Sequence, residues 1–302
     1  MPLPLSLGLN LPYADNSLDG RTPRWADIRA MATTAEALGF DALWVSDHLG
    51  FGDPDGDWHG AWESWTLLSA LAATTSRVRL GTYVTAVPLR NPALLAKMAE
   101  TLDEISGGRV VLGLGASWNE PEYRAFGVPF DHRFDRFEEA LRIITAMVRE
   151  GRSDYDGRYS TTRGARLEPR GPRPAGLPVM VGGAGHRMLR LTAELADEWN
   201  GGMRSLDDLT PLVAYLDDAC RAIGRDPASL PRSAEVLVRT IADPAGAEPE
   251  AHELVGTPAH LADALAAYAA LGLYHVQVQL RPNTLAGVAA FEPVMAALAS
   301  PR

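Results

Sequence analysis

Asp47 and His48 stand side by side where an apolar run, Leu43-Trp44-Val45, stops. A neutral imidazole accepts or donates a proton near physiological pH, and a neighbouring carboxylate can hold it in place. His48 is therefore the candidate acid–base group, with Asp47 as the group that orients it. The plainer alternative is a turn in which Asp47 caps the next segment and His48 faces water. A second stretch, VMVGGAGHRML over 179–189, passes from a strand through Gly182, Gly183, Ala184 and Gly185 straight into a helix. Small residues there let backbone N–H groups close on an anion, and a helix N-terminus adds a favourable dipole. The turn suits a phosphate, although glycine is also common in tight strand–helix turns. A third stretch, GLGASWNEPEYRAFG over 113–127, thins a strand end with Gly113 and Gly115, which is unfavourable unless something passes close by. Ser117 and Asn119 can hydrogen-bond a ligand edge, and Trp118 can stack on a flat ring or close a mouth. Glu120 and Glu122 read as surface or capping groups.

Other chemistries find less support. The seven histidines show no H-x-H or H-E-x-x-H spacing, so no metal site is expected. There is no G-x-S-x-G elbow of a serine hydrolase. Cys220 stands alone, in LDDACRAIG, and reads as the inner face of a helix in a reducing cytoplasm rather than a catalytic thiol. The net charge of −10, with no basic block, argues against nucleic acid and anionic membrane as partners. No run approaches the roughly 20 apolar residues of a membrane span. The start, MPLPLSLGLNLP, reads as a first strand rather than a signal peptide. Trp58, Trp62 and Trp65 read as packing groups.

The elements that must position these residues alternate along the chain. Strands are predicted over 3–11, 42–46, 79–85, 109–115, 179–182, 198–201, 234–241 and 275–280. Each is followed by a helix, the last over 285–298. Helix signals are local: Gly39 as a C-cap, Asn91-Pro92 as a start, Gly107-Gly108 as a stop. Residues 151–177 break the rhythm, with a hairpin near 155–161 and a proline-rich loop. Strict alternation implies parallel pairing, and eight such units in 302 residues imply one (β/α)₈ barrel domain over 1–302. The rival, an open doubly wound sheet, places a glycine fingerprint after strand one, where this chain reads LPYADN. Barrel active sites lie at the C-terminal strand ends. Asn10, Ser46, Asp47, His48, Thr85, Ala116, Ser117, Asn119, Gly182, Gly183, Asn200 and Gln279 all sit at such ends, so they are expected to ring one mouth.

Taken together, LWVSDHL, RVRLGTYVTAVPLRNPALLAKMAETLDEISGGRVVLGLGASWNEPEYRAFG, RFDRFEEALRII and VGGAGHRMLRLTAELADEWN resemble the luciferase-like monooxygenase superfamily. More narrowly they resemble its branch of coenzyme F-420 (deazaflavin)-dependent oxidoreductases. The resemblance covers most of the chain and is strongest over about 40–200. It implies a (β/α)₈ barrel with an insertion between strands four and five, usually dimeric, with a flavin or deazaflavin ring in the mouth. Asp47 and His48 would contact the ring or the reacting substrate. A non-proline cis peptide would fall at Tyr83-Val84, behind the ring. Ala116, Ser117 and Asn119 would line the ring, and Gly182, Gly183, Ala184 and Gly185 would cradle the cofactor phosphate. Sugar-phosphate dehydrogenases of the branch carry a catalytic glutamate where this chain has Trp118, which points to a more apolar substrate. The implied activity is hydride transfer between coenzyme F-420 and a small organic substrate. The alternatives are an FMNH2- and oxygen-using monooxygenase and a flavin-binding barrel without turnover. An acidic deazaflavin tail would need basic residues, with Arg187, Arg190 and Arg204 as candidates.

Overall fold

The computed structural model describes residues 5–53, 55–243 and 248–299. Eight parallel strands close on themselves: β1 (Ser6–Asn10), β2 (Ala42–Val45), β3 (Arg79–Thr82), β4 (Val110–Gly115), β5 (Val179–Gly182), β6 (Glu198–Met203), β7 (Arg232–Thr240) and β8 (His275–Leu280). Each pairs with the next, and β8 pairs with β1. The closed barrel excludes the open sheet. Strand one was expected over 3–11; Leu3 and Pro4 lie outside the described residues. The strands are buried on both faces, which is why they read as near-continuous apolar runs.

Helices cover the outside: α1 (Trp25–Leu38), α2 (Ser64–Thr74), α3 (Pro92–Ser106), α4 (Glu120–Ala125), α5 (Arg133–Glu150), α6 (His186–Leu195), α7 (Leu206–Ala222), α8 (Pro258–Ala270), α9 (Leu285–Ala290) and α10 (Glu292–Ala299). The local signals act as their chemistry dictates. Asn91 caps α3 by accepting from the Leu94 N–H at 3.0 Å, and Gly39 and Gly107 end α1 and α3 at positive φ. Cys220 is buried on the inner face of α7. The hairpin of the insertion is larger than expected, pairing 152–156 with 161–166. Several elements differ from the sequence reading: strand three ends at Thr82 rather than at residue 85, and the short helix α4 occupies 120–125, where none was expected. The last helix is two, α9 and α10, broken at Phe291, whose ring stacks on Phe40. The Gly- and Asp-rich loop after β2 folds into a short hairpin, 50–52 with 58–60. A further strand, Glu253–Gly256, extends the sheet outward from β7. No helix among the described residues is long and apolar enough to cross a membrane.

The barrel interior is polar as well as apolar. At its closed end the Trp44 indole fills the space left by Gly8 and Gly81. Its Nε1–H donates to His275 Nε2 at 3.0 Å, so the other ring nitrogen, 2.8 Å from Ser6 Oγ, carries the proton. One layer higher, Asn200 Nδ2 donates to Ser233 Oγ and to Gln277 Oε1.

His275 makes acid stability testable. Burial first, and the positive Arg79 second, push its pKa down to about 3, against about 6.5 in an unfolded chain. A histidine depressed in this way contributes full stability above about pH 6.5, and loses it as pH falls toward 3. At pH 5 the loss is about 2 kcal/mol. The His275→Gln variant, which keeps an acceptor for Trp44, should show a difference between its pH 7 and pH 5 unfolding curves smaller than the wild type's by about that amount. An unchanged difference would place the acid sensitivity elsewhere.

Candidate active site

The C-terminal strand ends surround one cavity of about 1150 Å³. Its walls include Asn10, Ser46, Asp47, His48, Tyr83, Val84, Ala116, Ser117, Gly182, Gly183, Ala184, Gly185, Asn200 and Gln279. Two expected rim residues turn elsewhere. Thr85 is buried against Thr82, their hydroxyls 2.6 Å apart. Asn119 is also buried, and its amide donates to the Gly50 carbonyl at 2.8 Å, pinning the loop after β2.

Asp47 does not orient His48. Its carboxylate is taken up by other partners. Its Oδ2 accepts from Arg90 Nη1 at 2.6 Å and from the Ala86 N–H at 2.9 Å; its Oδ1 accepts from Ser64 Oγ at 2.5 Å and Arg90 Nη2 at 2.9 Å. Arg90 also reaches Glu63, the N-cap of α2. This buried, bidentate ion pair ties the ends of β2 and β3 to the start of α2.

The orienting group is Glu122. It lies in the first turn of α4 and is fully buried, where a surface or capping group was expected. Its Oε2 lies 3.0 Å from His48 Nδ1, and its Oε1 accepts from the Leu49 N–H. A carboxylate offers only acceptors, so His48 Nδ1 carries a proton, and in the neutral ring Nε2 is the acceptor. Phe51 and Trp118 flank the imidazole, with ring centroids 4.7 and 5.5 Å away. The sequence carries one signal for Glu122: it follows Asn119 by three residues, one helical turn. Nothing in that spacing says which way the turn faces.

The peptide bond between Tyr83 and Val84 is cis. Val84 fits between β4 and β5 because Gly115 and Gly182 lack side chains; a Cβ at either would stand 2.6 or 2.9 Å from a Val84 methyl. The turn that follows, Gly183 to Gly185, leads into α6 without a side-chain cap. The first N–H groups of α6 are therefore free for an anion. A Cβ on Gly185 would meet nothing within 4 Å, so this corner is open.

The arginines divide. Arg187 lines the cavity but bonds Asp135 at 2.7 Å and Glu138 at 2.8 Å, and Arg190 bonds the Tyr215 hydroxyl. Arg204 lines the cavity with no carboxylate partner among the described residues, its Nη1 on the Gly201 carbonyl. Arg133, at the start of α5, also lines it and lies over the Phe130 ring. Among the described residues no cluster of three His, Cys, Asp or Glu is placed to hold a metal.

A family model described as luciferase-like monooxygenase matches residues 6–255. The chain is 33% identical over 255 residues to the pyrimidine monooxygenase RutA of Enterobacter sp. (strain 638), covering 79% of this chain and 68% of that protein. It is 34% identical over 225 residues to the protein of the same name from Cronobacter sakazakii, covering 71% and 64%. The match thus spans about two thirds of the length of these relatives. The fold is shared with an F420-dependent secondary alcohol dehydrogenase solved with an F420-acetone adduct, at TM-score 0.81 and 19% identity over 98% of this chain and 99% of that one. It is shared too with the coenzyme F420 dependent tetrahydromethanopterin reductase of Methanopyrus kandleri, at 0.78 and 20%, over 96% and 97%.

The Glu122–His48 contact has a spectroscopic consequence. In ¹⁵N-histidine spectra near neutral pH, neutral His48 should be the Nδ1-protonated tautomer. Glu122→Gln should allow the Nε2-protonated form to appear, with the melting temperature shifted by only a few degrees. A tautomer indifferent to the substitution would remove Glu122 as the positioning residue.

Proposed function

Because the chain belongs to the luciferase-like monooxygenase family, we propose that it is an oxidoreductase working with reduced FMN, its ring in the barrel mouth and its phosphate at the start of α6. The uncapped N-terminus of α6 at the open Gly183–Gly185 turn carries this reading. Free N–H groups and a helix dipole suit a single compact phosphate. The arginine nearest that corner has its charge taken up by two carboxylates, so the backbone would supply the attraction. Relatives of 33% and 34% identity are named as pyrimidine monooxygenases, which favours monooxygenation over other uses of the same barrel.

When bound, a reduced flavin supplies an electron pair to oxygen. The chain's own residues do the rest. His48, held by Glu122, keeps Nε2 as a base or hydrogen-bond acceptor at the cavity wall, a role that typically contributes ~10²- to 10⁴-fold. Phe51 and Trp118 give the wall beside it a flat apolar face, which suits a small planar substrate. Tyr83 and Val84 would back the ring, with Ala116 and Ser117 along its edge. Asp47 and Arg90 hold the rim rigid.

A second reading keeps hydride transfer with coenzyme F-420. Arg133 and Arg204, which meet no carboxylate among the described residues, favour it, because the acidic tail of a deazaflavin needs cations outside the phosphate turn.

Titration of the purified chain with FMN, riboflavin and coenzyme F-420 separates these readings. FMN should bind at least tenfold more tightly than riboflavin, which lacks the phosphate. Gly185→Asp should stabilise α6 by a few tenths of a kcal/mol as a better N-cap, yet weaken FMN about tenfold or more. Tight F-420 binding lost in Arg133→Ala and Arg204→Ala would favour the second reading; no binding of either ring would overturn both.

A further inference from the structure

Seven carboxylates among the described residues are buried: Asp47, Glu100, Asp103, Glu122, Glu198, Glu235 and Glu253. Five of them meet an arginine, and Glu122 meets His48. Glu235, only 4% exposed, meets no cation among the described residues. A buried carboxyl without a counter-charge is costly, so its presence calls for a reason. It points inward from β7 onto the floor of the cavity. Its Oε1 accepts from Asn10 Nδ2 at 2.7 Å, and the Tyr83 hydroxyl bears on it as well. Both partners are neutral. Burial raises the pKa of the carboxyl, and these two hydrogen bonds only partly offset it.

The neighbour on β8 completes the pattern. Glu235 pairs in register with Gln277 and Leu237 with Gln279, so Gln279 is the next inward residue toward the mouth. Gln279 lines the same cavity, and its carboxamide makes no hydrogen bond within the described residues. An acceptor carboxyl and a free carboxamide therefore stand on adjacent strands, facing the same space.

We propose that Glu235 and Gln279 form a subsite for the –NH–C(=O)– edge of a ring. A Glu235 oxygen takes the N–H, and the Gln279 amide donates to the adjacent carbonyl. The proposal rests on the cavity being the ring-binding site argued above. A pyrimidinedione edge has this chemistry, and it comes from two sources: the end of a flavin ring or a free pyrimidine substrate. A site built to accept an N–H rejects the analogue that lacks it, because the buried acceptor is then left unpaired.

The test compares each N–H ligand with its N-methyl analogue by calorimetry: FMN against N3-methyl-FMN, and uracil against 1,3-dimethyluracil. The wild-type chain should prefer the N–H form of one pair by roughly tenfold or more. Glu235→Gln should erase that preference, because with its oxygen on Asn10 it turns an N–H toward the ligand. Loss confined to the flavin pair assigns the subsite to the cofactor, and loss confined to the uracil pair assigns it to the substrate. No preference in the wild type, or one that survives the substitution, overturns the proposal. If Glu235→Gln does not fold, Gln279→Leu decides: it should weaken the N–H ligand about fivefold or more, and unchanged affinity overturns the subsite. If FMN does not bind at all, the FMN reading fails, and the uracil pair alone judges Glu235.

Discussion

A carboxylate removed from water must be met by a donor, and that requirement organises the mouth of this barrel. Asp47 cannot serve His48 because Arg90, Ser64 and the Ala86 N–H already use both its oxygens. Removing Arg90 would leave a buried, uncompensated charge, a far larger penalty than the pair's own net worth. The rim is thus fixed before any ligand is considered. With β2 and β3 tied to α2, the residue after Asp47 is delivered to the cavity at a set angle, and a different carboxylate, on a different element, can hold it.

The same requirement explains the division of labour among the arginines. The chain is acidic overall, and of the three arginines that line the cavity one, Arg187, is neutralised locally. Arg187 is close to the glycine turn in sequence but belongs to Asp135 and Glu138 on α5. Those pairs are half exposed and worth little to stability. Their consequence is electrostatic: they leave the start of α6 with backbone donors and a dipole rather than a full positive charge. Such a corner suits one phosphate better than an extended anionic chain, unless Arg133 and Arg204 take part.

The barrel was legible because alternation is a property of contiguous residues. Apolar runs, Asn91-Pro92, Gly39 and Gly107 each speak about their own few positions, and the closed sheet follows from their order. The convergence of the strand ends on one cavity was legible for the same reason. The hairpin at 50–60 was not, because glycine and aspartate composition reads as loop whether or not its backbone pairs. Nor was the break at Phe291, since a ring stacking on Phe40 is a contact across 251 positions of chain (291 − 40).

Asp47 and Glu122 take roles that depend on tertiary partners. Adjacency suggested that Asp47 and His48 act together, yet Asp47 is taken up by Arg90, Ser64 and the Ala86 N–H while His48 meets Glu122. Glu122 looked like a surface acid because half of its helix is one: Glu120, two residues earlier, is exposed. A helix turns 100° per residue, so those two positions differ by 200°, and burial of one says nothing of the other. What distinguishes them is the direction in which Asn119 and Tyr123 anchor the helix, the first on the Gly50 carbonyl and the second on that of Ala116. Both anchors are tertiary. Glu235 is harder still to read from the chain, since an acid inside a Val- and Leu-rich strand is meaningful only once its lack of a cation is seen. The residues that specify chemistry here have partners far away in sequence, and their meaning arises from closure of the barrel.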